Sequence, residues 1–98
     1  MTLADFRASL SSPSPPPGLS TAVQALWRDG RGDWVGAHEL AQADESGDGD
    51  WVHAYLHRKD GDEGNASYWY ARAKQPRATG SIEAEWTTIA EALLARRT

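Results

Sequence analysis

The chain of 98 residues contains no cysteine. Disulfide bonds, thiolate zinc ligands and cysteine nucleophiles are therefore excluded, and a reducing compartment is favoured. The sequence also has no apolar stretch long enough to span a bilayer, and Asp5 and Arg7 interrupt the first ten residues, where a signal peptide would be continuously apolar. We therefore expect a cytoplasmic protein with no membrane partner.

Basic residues are few and scattered along the chain. Ten Lys and Arg stand against 14 Asp and Glu, which gives a formal net charge of −4. Proteins that bind nucleic acids usually concentrate Lys and Arg on one face, because contacts with phosphates dominate their affinity. The composition thus argues against a nucleic-acid partner. The 40% of apolar residues is enough for the core of one small domain.

A proline-rich stretch separates a short N-terminal segment from the rest of the chain. Leu3, Phe6 and Leu10 recur at helical spacing, and the prolines that follow remove backbone donors and favour an extended conformation. The sequence therefore predicts an N-terminal helix or arm with its linker over residues 1–18, and a helical domain over residues 19–98. We expect the first ten residues to be loosely docked or mobile.

From Leu19 onward, apolar residues recur at helical spacing between Gly and Asp residues, and almost nothing has the alternation of a strand. Five polar residues predict helix starts as N-caps: Ser20, Asp33, Asp50, Asp62 and Ser81. The run 44–49 is predicted to be a loop. The fold class is therefore all-α, with two tandem helix hairpins and a C-terminal closing helix, and with Trp34, Trp69 and Trp86 mostly buried.

The two predicted hairpins resemble each other in sequence. A shift of 29 residues places Gly32, Asp33 and Ala37 on Gly61, Asp62 and Ala66. Each copy consists of a helix, a Gly-Asp turn and a second helix with a small Ala where two helices approach closely. We therefore expect the two hairpins to superpose.

Gly61-Asp62, followed by Ala66, Tyr70 and Ala73, resembles the second half of tetratricopeptide and Sel1-like repeats. The resemblance implies an architecture of stacked helical hairpins. Segments 51–59 and 65–70 are also similar to small bacterial and fungal proteins of no assigned function. These resemblances imply no activity.

Two histidines lie at the spacing of one helical turn, which places their rings on one helix face within reach of one metal ion. They are His53 and His57, and His38 or Glu39 would have to supply a third ligand. Ala54 stands where the helix of a zinc protease has its Glu. The alternatives are exposed or hydrogen-bonded histidines without a function, or a polar pocket without metal. We expect no tightly held metal and no cofactor.

The acidic run predicted as a loop has the start of a calcium-binding EF-hand. Asp44, Ser46 and Asp48 match its first three ligand positions, but Tyr55 stands where the bidentate Glu is required. The sequence therefore argues against calcium binding, and these acids are expected to cap helices and solvate turns. The sequence also has no phosphate-binding glycine loop with its Lys and no serine nucleophile elbow.

Polar side chains on the central helices predict a groove beside the apolar core. The candidate ligand-binding residues are His38, Gln42, His53, His57, Asn65 and Tyr68. The preferred interpretation is a non-catalytic helical module that binds an unknown protein or a small polar ligand. The alternatives are a small metal- or histidine-dependent enzyme using His38, His53 and His57, a homodimer, or simply a solvated polar surface.

Overall fold

A computed structural model describes residues 1–96 of the chain, so the last two residues of the predicted helical domain lie outside the described residues. Within residues 1–96 there are six α-helices and no strand, which confirms the all-α class. The helices are α1 (Leu3–Ser9), α2 (Thr21–Gly30), α3 (Trp34–Ala43), α4 (Gly47–Lys59), α5 (Glu63–Ala73) and α6 (Ile82–Ala95).

Side-chain caps determine where most of these helices begin. Such a cap works because its oxygen accepts a backbone N–H that has no partner within the first helical turn. The Asp33 carboxylate, for example, accepts the N–H of Gly36 at 2.9 Å. The predicted caps Ser20, Asp33, Asp62 and Ser81 are confirmed.

The start of α4 differs from the prediction. Its cap is Ser46, whose hydroxyl accepts the N–H of Gly49, and Asp44 in turn accepts the N–H of Ser46 at 2.8 Å. Asp50 is therefore not a cap but a buried residue in the first turn of α4. The helix begins at Gly47, so the second half of the predicted loop 44–49 is helical. The Ser46 cap allows the helix to start among residues whose composition is typical of a loop.

The turns that precede α3 and α5 have the same backbone structure. Gly32 and Gly61 adopt φ angles of +84° and +80°, a left-handed conformation that glycine reaches without a steric penalty. The N–H groups of Asp33 and Asp62 each donate at 2.9 Å to the carbonyl five residues earlier. The two turns are thus built alike, and the repeat of whole hairpins stays a prediction.

Consecutive helices pack against each other from α2 to α5, while α6 lies on α2 and α4, and α1 lies on α6. A single apolar core fills the space between them. Its largest fully buried side chains are Trp27, Tyr55, Tyr70, Phe6, Leu26, Leu56, Ile89, Val23 and Val52.

The N-terminal helix α1 is part of this core. Phe6 is fully buried and stacks on Trp86, with 5.6 Å between ring centroids. The indole N–H of Trp27 donates to Ser9, and the Arg31 guanidinium donates to the carbonyl of Leu10 at 2.8 Å. This close packing differs from the expected loose attachment, because Phe6 is fully buried against Trp86 of α6. A domain boundary at residue 18 stays a prediction.

Buried carboxylates in the core are held by paired donors. The Asp29 carboxylate accepts a hydrogen bond from the Tyr55 hydroxyl at 2.5 Å and forms an ion pair with Lys59 at 2.9 Å. Burial, followed by this hydrogen bond, raises the pKa of Tyr55 above its usual range. Because a buried charge is costly unless it is paired, these contacts make Asp29 compatible with the core.

Candidate functional site

Three histidines from two neighbouring helices meet at one point. His38 belongs to α3, and His53 and His57 lie one turn apart in α4, which packs against α3. One ring nitrogen of each histidine lies within 4.8 Å of the other two. The chain has three histidines in all, so this histidine cluster contains every imidazole of the protein.

The rings of the histidine cluster are in mutual contact. Their centroids are 4.6 Å apart for His38 and His53, and 4.9 Å apart for His53 and His57. The Nε2 atoms of His38 and His53 are 3.0 Å apart. Two nitrogens bound to one tetrahedral zinc ion are about 3.3 Å apart. The pair of His38 and His53 is therefore close to a chelating geometry. A ring nitrogen of His57 lies within 4.8 Å of theirs and would have to approach to about 3.3 Å to complete a three-nitrogen site.

Two tryptophan rings stack on imidazoles of the histidine cluster. Trp34 stacks on His38 at a centroid distance of 4.9 Å, and Trp69 stacks on His53 at 3.9 Å. The indole N–H of Trp34 donates to the carbonyl of Leu56 at 2.9 Å, which fixes that ring relative to α4. The stacking restricts the rotation of both imidazoles.

This role explains the burial of the tryptophans. Trp86 is buried as predicted, but Trp34 and Trp69 are half-buried. They pack against the histidines at the edge of the core, and each side chain remains partly accessible. Sequence reasoning assigned both rings to the core because their spacing matches an apolar helix face.

Ring nitrogens in the cluster lack hydrogen-bond partners. His53 is only 3% exposed, and its Nδ1 atom has no partner in the described part of the protein; the same holds for Nδ1 of His57. A buried polar atom without a partner costs about 1 to 3 kcal/mol. In the 3.0 Å contact, one Nε2 must donate and the other accept. The hydrogen bonds within the described part of the protein therefore leave two ring nitrogens of the cluster unpaired.

Electrostatics keep two of the histidines neutral at pH 7. Burial, followed by the proximity of His38 and His57, lowers the pKa of His53 to about 4. Burial also lowers the pKa of His38, followed by the proximity of His57. Metal ions bind the neutral imidazole, since a proton occupies the same lone pair. Both rings therefore have lone pairs available for a metal at neutral pH.

The other three residues of the predicted groove are exposed. Gln42 is exposed on α3, and Asn65 donates through its side chain to Asp62 at 2.7 Å. Tyr68 is 54% exposed and contacts Trp69 edge on. The described contacts of Asn65 and Tyr68 thus connect them with neighbours other than the histidines.

Two neighbours of the cluster were not assigned to it from the sequence. Trp34 precedes His38 by one helical turn, a spacing that could have indicated ring stacking. Asp62 was predicted only as a cap, yet its Oδ2 atom lies 3.9 Å from Nδ1 of His57. This proximity follows from the turn geometry, in which Asp62 donates its backbone N–H to the carbonyl of His57.

A cavity of about 630 Å³ opens elsewhere, between α1, α2, α4 and α6. Its lining includes Trp86 and Leu10, together with Arg7 and Lys59 balanced by Asp29 and Glu83, and no histidine. The balanced charges favour no ligand of one sign. The histidine cluster is the more specific chemical feature, because its rings converge and the Nδ1 atoms of His53 and His57 have no hydrogen-bond partner among the described residues.

No protein family model, curated protein or solved structure matches this chain. Among the described residues, no helix combines the length and the apolar character needed to cross a membrane. The histidine cluster is therefore the feature of the molecule that points to a function.

Proposed function

We propose that the protein is a non-catalytic helical binding module whose ligand is one divalent transition-metal ion, held by His38, His53 and His57. The observation that carries this proposal is the convergence of one nitrogen from each ring within 4.8 Å. The sequence led us to expect a polar groove without a tightly held metal. The convergence of all three rings favours a metal site instead, because two histidines alone do not make one.

Three imidazoles favour particular metals. Zn²⁺, Cu²⁺, Ni²⁺ and Co²⁺ accept nitrogen ligands readily, whereas Ca²⁺ and Mg²⁺ prefer oxygen. The chain has no cysteine, so thiolate selection of Cu⁺ does not apply. A four-coordinate ion bound by three histidines keeps one position for water or an added ligand.

A binding role is favoured over the alternative of a metal- or histidine-dependent enzyme. An enzyme of this kind needs a pocket for substrate beside the ion. The cavity of about 630 Å³ is lined by residues outside the histidine cluster. The half-buried Trp34 and Trp69 instead cover the imidazoles.

The wider setting of the module is part of the same proposal. We place it in the cytoplasm, as an arrangement similar to tetratricopeptide and Sel1-like hairpins. The matching turns at Gly32 and Gly61 support the similarity of the hairpins, and the absence of cysteine supports a reducing compartment. A protein partner or a homodimer would then use the exposed surface of the hairpins, which includes Val35 and Tyr68.

Calorimetric titration of the tag-free protein with Zn²⁺, Ni²⁺ and Co²⁺ tests the metal site. We expect one ion per chain. His53→Leu and His57→Gln should each raise the Kd more than about a hundredfold, because loss of even a ligand's hydrogen-bond partner costs 10- to 100-fold. Gln42→Ala is the control, since Gln42 is exposed on the same helix as His38.

Spectroscopy on the same samples identifies the ligands. Since the protein has three histidines and no cysteine, Co²⁺ absorption of a nitrogen-bound tetrahedral ion can come only from the histidine cluster. A wild-type protein that binds no metal ion, or that binds equally well after His53→Leu and His57→Gln, would contradict the proposed function.

A further inference from the structure

Asp62 and His57 are brought together by the turn between α4 and α5. The N–H of Asp62 donates to the carbonyl of His57 at 2.9 Å, so the backbone fixes the distance between the two residues. The side chains follow, with Oδ2 of Asp62 3.9 Å from Nδ1 of His57. That nitrogen is buried and has no hydrogen-bond partner among the described residues.

We propose that Asp62 is a positioning residue for the metal ion, accepting a hydrogen bond from Nδ1–H of His57 while Nε2 of His57 binds the metal. The inference rests on the proposed function and extends it. Histidines that bind metals usually donate their other N–H to a carboxylate or carbonyl, which fixes the tautomer and the ring orientation and makes the ligand more basic. Closing the gap from 3.9 Å requires a movement of about 1 Å.

The carboxylate of Asp62 has capacity for this additional bond. It already accepts the backbone N–H of Asn65 at 3.2 Å and the Asn65 side-chain amide at 2.7 Å. A carboxylate has about four lone-pair sites, so a further donor can be accommodated. The hydrogen bonds from Asn65, and then the proximity of His57, lower the pKa of Asp62. The group is therefore ionised at neutral pH and available as an acceptor.

The protein contains a matched control for this residue. Asp33 caps α3 as Asp62 caps α5, after a turn with the same backbone geometry. At the position that corresponds to His57, however, the first turn has Arg28, whose carbonyl accepts the N–H of Asp33. Replacing either aspartate by asparagine keeps a good N-cap. Only the replacement of Asp62 removes a carboxylate from a histidine.

The experiment compares Co²⁺ and Zn²⁺ affinity in the wild-type protein, Asp62→Asn and Asp33→Asn. We expect Asp62→Asn to raise the Kd about tenfold, the lower end of the range for such partners because Asp62 is partly exposed. Asp33→Asn should leave the Kd unchanged, and melting curves should show that both variants are folded. Asp62→Ser, another good cap without a carboxylate, should behave as Asp62→Asn.

Nitrogen-15 NMR of the Zn²⁺-loaded protein provides a readout that a purely structural role would not change. We expect His57 to bind the ion through Nε2 and carry its proton on Nδ1, with a shift of the Nδ1 resonance in Asp62→Asn. The Co²⁺ spectrum at saturation should stay the same, because the three ligands are retained.

Two results would overturn the inference. An unchanged Kd in Asp62→Asn would show that the carboxylate does not act on His57, and an altered Co²⁺ spectrum would show that Asp62 is itself a ligand. Both results differ from a failure of the proposed function, in which the wild-type protein binds no metal ion.

Discussion

A histidine that is buried and uncharged makes the stability of the protein depend on pH. The pKa of His53 falls to about 4, first through burial and then through His38 and His57, whereas an unfolded histidine titrates near 6.5. Between these values the unfolded chain binds more protons than the folded protein. Acid therefore favours unfolding. The free energy of unfolding decreases as the pH falls below about 6.5, and the contribution of His53 to this decrease ends near pH 4.

For the metal-free protein in EDTA, we predict that the free energy of unfolding decreases between about pH 6.5 and pH 4.5. His53→Leu should reduce this decrease, because leucine has no proton to gain on unfolding. Urea denaturation of both proteins across that range measures the difference. Carboxylates titrate in both proteins alike, so their contribution cancels, and equal slopes for the two proteins would contradict the lowered pKa.

Only part of the histidine cluster was predictable at the level of residues. The spacing of His53 and His57 placed them on one helix face, since the helical period is a local property. Whether His38 reaches them depends on how α3 packs against α4, which a single sequence does not determine. The burial of His53 depends on the same packing, and the packing of α5 against α4 places Trp69 over its ring.

Helix boundaries show the same division between local and tertiary effects. Caps such as Asp33 and Ser81 were predicted because their hydrogen bonds span only three residues. The start of α4 was not predicted, since Gly47 and Gly49 are weak helix formers on their own. Gly49 is buried, and a Cβ atom there would lie 2.4 Å from the carbonyl oxygen of Asp44. Close packing thus requires a glycine in this helix.

The helix α1 was the element whose role was least evident from sequence. Three apolar residues are too few to hold a short helix by themselves, and the contacts of α1 with α6 involve residues near the other end of the described chain. Phe6 packs on Trp86, and Arg7 donates a hydrogen bond to Thr87 at 2.6 Å. Such long-range contacts have no local sequence pattern.

We predict that Phe6→Ala lowers the free energy of unfolding by about 3 to 5 kcal/mol, because it leaves a cavity beneath Trp86. Thermal and urea unfolding measure the change, and Val35→Ala, at a residue 64% exposed, is the control. Metal affinity should be unchanged, since Phe6 lies outside the histidine cluster. A truncated chain without residues 1–18 that is as stable as the full chain would contradict this role and support the boundary at residue 18.

At the scale of the whole molecule, a ligand that binds only the folded state stabilises all of it. The histidine cluster depends on α3 packing against α4, so the unfolded chain does not form the site. A metal ion at about a hundred times its Kd then adds about 2.7 kcal/mol to the free energy of unfolding. In a domain of this size, that corresponds to a rise in Tm of about 10 to 20 °C.

Circular dichroism melts with and without Zn²⁺ test this prediction, with reversal by EDTA and with His57→Gln as the control. The wild-type Tm should rise and that of His57→Gln should not. A Tm that stays constant while calorimetry shows one bound ion per chain would mean that the unfolded chain binds the ion equally well.

The contact between α1 and α6 has a consequence for the order in which the chain folds. The hydrogen bond between Arg7 and Thr87 joins residues 80 positions apart, whereas His38 and His53 are separated by 15. Closing the longer loop costs about 1.5 kcal/mol more in chain entropy. The hairpins that carry the histidines can therefore assemble before the contact between α1 and α6 forms.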